Sequence, residues 1–173
     1  MSKFRAITRI QSIVIHCSAT PNGRRTTVED IDDWHKNRNF KRNPELAGNH
    51  MPHLGSIGYH HVIYANGATG NGRRYCETGA HTLDVSYPKG DGRRYQYNNN
   101  SIGICMVGTD LFSFEQWETL RVLIKALKDE FPSITKVIGH RSINPNKTCP
   151  GFNVKTWLSG GMLAPAMHIL ESP

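Results

Sequence analysis

Short apolar runs alternate with segments of helical periodicity, and that alternation restricts the fold of this chain more than any other feature. Residues 12 to 16 hold Ile13, Val14 and Ile15 without interruption, and Ile102 to Val107 and Lys136 to Gly139 repeat the pattern. Runs of this length read as strands covered on both faces. Between the last two lies Phe114 to Glu130, where Leu120, Leu123, Ile124, Leu127 and Phe131 form one stripe behind a Ser113/Gln116 capping box, with Pro132 as the stop. Thr27 is placed to cap an earlier helix that carries Glu29 and Asp30 in its first turn, turns Val28, Ile31 and Trp34 to one side and ends near Asn37. Tyr59 to Ala65 reads as a strand running into an Asn66-Gly67 hairpin turn, and Asn153 caps a last helix through Trp157. Strands alternating with helices predict a layered α/β sheet.

With 173 residues the chain can bury one proper core and is too short for two comfortable domains, so a single domain over 1–173 is expected. Residues 38 to 58 and 84 to 100 are rich in Gly, Pro, Asn and Asp and read as surface excursions. Met1 to Arg9 is charged and lacks the apolar core of a signal peptide, and no stretch is apolar enough to span a bilayer, so synthesis as a soluble cytoplasmic protein is expected. The four cysteines form no CxxC pair, which argues against a disulfide framework or a self-contained zinc finger; Cys17 and Cys105, in or beside apolar runs, read as small core residues. A net charge of +7 predicts attraction to polyanions, but its arginine pairs, 24-25, 73-74 and 93-94, fit solvated loop tips as well as a binding patch. No groove-reading helix or aromatic-rich basic strand points to nucleic acid, and none is expected as a partner.

Two histidines, His16 and His140, each stand at the end of an apolar strand, the position from which an α/β sheet presents side chains to its binding crevice. Cys149 follows in a Lys-Thr-Cys-Pro-Gly loop able to fold back over the strand end. Two imidazoles and one thiolate suit zinc, and three protein ligands would leave a fourth position for water. Spacing alone makes this a weak signal. His35, His50, His53 and His168 read as surface or internally satisfied groups.

The motifs His16-Cys17-Ser18-Ala19-Thr20, Gly58-Tyr59-His60, Asn100-Ser101-Ile102-Gly103-Ile104 and Lys147-Thr148-Cys149-Pro150-Gly151-Phe152, in that order, resemble the type 2 N-acetylmuramoyl-L-alanine amidases, and in particular their T-seven-type phage lysozymes. The peptidoglycan recognition proteins share that fold more distantly. The resemblance spans residues 10 to 158, leaving 159–173 as a tail without an assigned role. It implies a central mixed sheet flanked by helices, with Zn2+ at the floor of a groove. It also implies that His16, His140 and Cys149 hold the zinc, that Tyr59 is a catalytic partner at the metal, and that Lys147 is the assisting cation. The implied activity is hydrolysis of the amide between N-acetylmuramic acid and L-alanine in peptidoglycan, by a monomeric, bacteriolytic endolysin of a phage or prophage acting on the cell wall. The anionic cell envelope is a second candidate partner. His60 and His61 point to opposite sides of their strand, so at most one faces the groove; His60 and His81 are the candidate lining residues. The loops at 36–57 and 84–99 are longer than those of the compact phage relatives, so no polymerase or other regulatory partner is carried over. The alternative is a recognition module that binds peptidoglycan without cutting it, and the retained Cys149 argues against that.

Overall fold

The computed structural model describes residues 4–171. In chain order the main elements are β1 (Ser12–Cys17), α1 (Val28–Asn37), α2 (Pro44–Ala47), β2 (His61–Ile63), β3 (Thr69–Asn71), α3 (Gln96–Asn100), β4 (Ser101–Met106), α4 (Phe114–Glu130), β5 (Lys136–Gly139) and α5 (Val154–Ser159). The strands form one mixed sheet in the order β3-β2-β4-β1-β5. β1 runs parallel to β4 and β5, β2 runs parallel to β4, and β3 is antiparallel to β2. Every residue of β1 and β4 is buried, as uninterrupted apolar strands require when both faces are covered.

Side chains alternate along a strand, and β1 therefore divides the molecule into two sides. Ile13, Ile15 and Cys17 join Ile102, Ile104 and Met106 in a core completed by Trp117, Leu120, Ile124 and Leu127 of α4 and Trp157 of α5. The opposite side carries Ser12, Val14 and His16, paired with Ser101, Gly103 and Cys105 of β4. There Cys105 packs with Val28 and Ile31 of α1 and with Leu54, Ile57 and Val62. His16 thus leaves the sheet on the side away from α4.

α1 and α4 start on the expected capping boxes, Thr27 with Asp30 and Ser113 with Gln116. All four cysteines are free, and Cys17 and Cys105 are buried as expected. β2 is shorter than the strand expected over Tyr59 to Ala65. Its ladder gives way at Tyr64, whose carbonyl accepts the Gly67 N–H to form the turn, with Gly67 at φ +79°.

Neither excursion is wholly irregular. Asn43 accepts from Glu45 N–H and places Pro44 at the first position of α2, while Asp91 caps a short 3-10 turn, Gly92–Tyr95, that runs into α3. Buried arginines tie these segments down. Arg42 forms a two-pronged pair with Glu77 at 2.8 and 2.7 Å and donates to the carbonyls of His50, Met51 and Leu54. Arg73 donates to the carbonyls of Ile57 and Thr78, and Arg5 to those of Tyr75 and Ser101. Arg73 is 2% exposed, which corrects the view of it as part of a loop tip or surface patch, whereas Arg74 beside it is exposed as expected. The C-terminal tail docks on α4: His168 O accepts from Phe112 N–H at 2.9 Å and from Trp117 Nε1–H at 3.1 Å. Among the described residues no helix is long and apolar enough to cross a membrane.

Candidate metal centre

Because β1 and β5 are parallel neighbours, His16 near the end of one and His140 just beyond the other meet. Their ring centroids are 4.7 Å apart. The loop after His140 returns to the same place, as Arg141 N–H donates to Cys149 O at 2.9 Å and Cys17 N–H donates to Cys149 Sγ at 3.1 Å. One candidate ligand atom from each of His16, His140 and Cys149 lies within 4.8 Å of the other two. Zinc binds such atoms at about 2.0–2.3 Å, so a single ion could join the three.

The electrostatics of the three groups fit a cation. Nε2 of His140 is buried without any hydrogen-bond partner, a state that costs about 1–3 kcal/mol unless something relieves it. Burial, followed by His81 and His140, holds His16 well below its ordinary range. Burial and the charges of Lys147 and Arg38 bring His140 to about 4. Both imidazoles are therefore neutral at pH 7 and carry a free lone pair. A hydrogen bond with Cys17, together with burial, pushes the Cys149 thiol upward, so its thiolate calls for a neighbouring positive ion.

Tyr59 packs beside this cluster, its ring 5.0 Å from that of His16. Burial, with Cys105 and Cys149 nearby, raises its hydroxyl well above the usual phenol range, so it stays a neutral donor. Lys147 is exposed and close enough to His140 to depress it. Arg38, which closes α1, acts on His140 in the same way, and its guanidinium lies 5.1 Å over the Phe40 ring. No sequence motif marks Arg38; its place depends on how α1 packs. His35, expected to be a bland histidine, is 5% exposed, accepts Gly58 N–H at 2.9 Å and has its ring centroid 5.2 Å from that of Tyr59. Its ring is tilted, not stacked, against that of Tyr59, and its bond to Gly58 anchors the backbone just before Tyr59. Its signal was present in the helical spacing from Val28 and Ile31, which puts residue 35 on the inner face.

His60 and His81 do not line an open groove, being 1% and 7% exposed. His60 Nδ1 accepts Gly103 N–H at 3.0 Å, which makes it a brace between β2 and β4. His81 lies behind His16, its Nδ1 3.0 Å from His16 Nε2. His60 and His61 do take opposite sides, with His61 bonded to Tyr75 Oη at 2.7 Å.

Together these features define an α/β protein with a two-imidazole, one-thiol cluster at the ends of adjacent parallel strands. The family described as N-acetylmuramoyl-L-alanine amidase matches residues 7–152, and the chain belongs to that family. The endolysins of Enterobacteria phage T3 and Escherichia phage T7 are each 29% identical to it over 163 residues, covering 90% of this chain and 89% of theirs. Among solved structures, the N-acetylmuramoyl-L-alanine amidase endolysin LysCS of Clostridium intestinale URNW superposes with a TM-score of 0.67 at 22% identity, over 94% of this chain and 90% of that one. Drosophila PGRP-LB superposes at 0.64 and 22% identity, over 99% and 91%. The expected fold, shared by amidases and peptidoglycan recognition proteins, is the one found.

Proposed function

We propose that this chain is a zinc-dependent amidase that cleaves the bond between N-acetylmuramic acid and L-alanine in peptidoglycan, serving as a phage or prophage endolysin at the cell wall. The observation that carries this reading is the convergence of His16, His140 and Cys149 around a buried His140 nitrogen with no partner. When bound there, zinc supplies Lewis acidity to a water and to the scissile carbonyl. Tyr59, kept neutral by burial, donates its hydroxyl proton in a hydrogen bond to the carbonyl oxygen as negative charge gathers on it. Lys147 offers an ammonium to that same oxygen, and the proton that the attacking water gives up is the one that the departing amine gains. Triad, phenol and ammonium come from one chain, so the monomer is the proposed working unit.

The bond assignment draws on family membership and on relatives named as endolysins. The substrate class draws on a structural neighbour, peptidoglycan recognition protein-LE, solved with a monomeric diaminopimelic acid-type peptidoglycan. The +7 charge would add salt-sensitive attraction to the anionic envelope. Digesting purified peptidoglycan with the zinc-loaded full chain should free stem peptides and leave the glycan strands whole. Glycan cleavage, or no peptide release, would reject the assignment.

A further inference from the structure

The hydrogen-bond chain behind His16 ends on a group that can only accept, which fixes the direction of every link. Ser101 Oγ–H donates to the Tyr97 carbonyl. Its proton committed there, Ser101 Oγ faces His81 Nε2 at 3.5 Å as an acceptor, so the His81 ring proton sits on Nε2. His81 Nδ1 is then bare and accepts, at 3.0 Å, from the Nε2–H of His16. With Nε2 engaged, Nδ1 is left unprotonated and is the nitrogen that His16 has to offer as its ligand atom beside His140 and Cys149. His16, His81 and Ser101 are 1%, 7% and 0% exposed, so bulk water does not compete along the chain.

The surroundings are shaped around the His81 ring. A Cβ added at Gly79 would fall 2.5 Å from it and one at Gly103 2.7 Å from it. Asn98 Oδ1 accepts from the N–H groups of both His81 and Thr82 at 2.9 Å and holds the loop that carries the ring.

We infer that His81, Ser101 and the Tyr97 carbonyl form a tautomer relay that presets His16 for metal binding, with His81 as a positioning residue. The inference rests on the zinc reading of the cluster. An imidazole without such a relay distributes its proton over both nitrogens, and one of those tautomers blocks Nδ1. Partners of metal-bound histidines typically change metal affinity about 10–100-fold.

The test combines imidazole nitrogen NMR of the metal-free full chain with zinc competition against a chelator. Wild type should show His16 and His81 both protonated at Nε2 before any zinc is added. Ser101→Ala should mix the His81 and His16 tautomers and weaken zinc binding about 10-fold. His81→Phe should weaken it about 10–100-fold. His81→Asn, whose amide oxygen can accept in place of Nδ1, should restore most of that loss. A His16 protonated at Nδ1 in the metal-free wild type, or a Ser101→Ala protein with unchanged tautomers and unchanged zinc affinity, overturns the relay. A wild type that shows the Nε2 tautomers yet binds no zinc overturns the zinc reading while supporting the relay.

Discussion

Cys149 Sγ rests against the backbone of β1, where Cys17 N–H donates to it, and the adjoining thiol and burial both oppose its ionisation. A bound cation reverses that balance, so Cys149→Ala and His16→Ala should lose zinc and activity together, read by metal analysis and stem-peptide release. Tyr59→Phe and Lys147→Ala should keep their zinc and lose about 100-fold in kcat, the effect of deleting one oxyanion donor. An unimpaired Lys147→Ala enzyme would reject its role. His16 and His140 were legible in the sequence because each terminates an apolar run, and Cys149 because its loop carries a recognisable motif. Arg38 had no comparable signature and reaches the cluster through the packing of α1; His81 was expected only as a groove-lining residue, and its place behind His16 comes from a loop returning beneath β4.

α4 illustrates which elements a sequence announces. Its stripe, capping box and Pro132 stop all act locally, and the helix runs over Phe114–Glu130 as expected. α2 falls in a stretch read as a surface excursion, where Asn43 caps it and Pro44 opens it, whereas α3 shows no apolar periodicity and is held from outside by long-range bonds such as Gly79 N–H to Asn98 O. The excursion after α1 depends most on Arg42 and Glu77, whose side chains are 1% and 0% exposed. Removing one partner strands the other charge in the interior, so Arg42→Ala should cost about 3–5 kcal/mol in denaturant unfolding. A loss below about 1 kcal/mol, the range of surface pairs, would contradict that role.

The whole chain concentrates histidines in its interior, and this sets its response to acid. His35 and His61 are both brought to about 4, chiefly by burial, and His60 is held well below its ordinary range for the same first reason. The unfolded chain takes up these protons near pH 6.5, before the folded one does. Their contribution to stability is therefore complete above about pH 6.5 and is lost as pH falls toward 4, at up to about 1.4 kcal/mol per pH unit for each group. Thermal unfolding should show a midpoint that drops steadily between pH 6.5 and 4; a flat profile would contradict the buried neutral histidines. The mixed sheet of this amidase-family chain brings three side chains from distant parts of the sequence to one point, and X-ray absorption at the zinc edge of the full-length protein examines that point itself. The spectrum should show one sulfur at about 2.3 Å, two imidazole nitrogens at about 2.0–2.1 Å and one further light atom from solvent. Zinc without a sulfur neighbour, zinc enclosed by four protein ligands, or a protein that retains no zinc would contradict it.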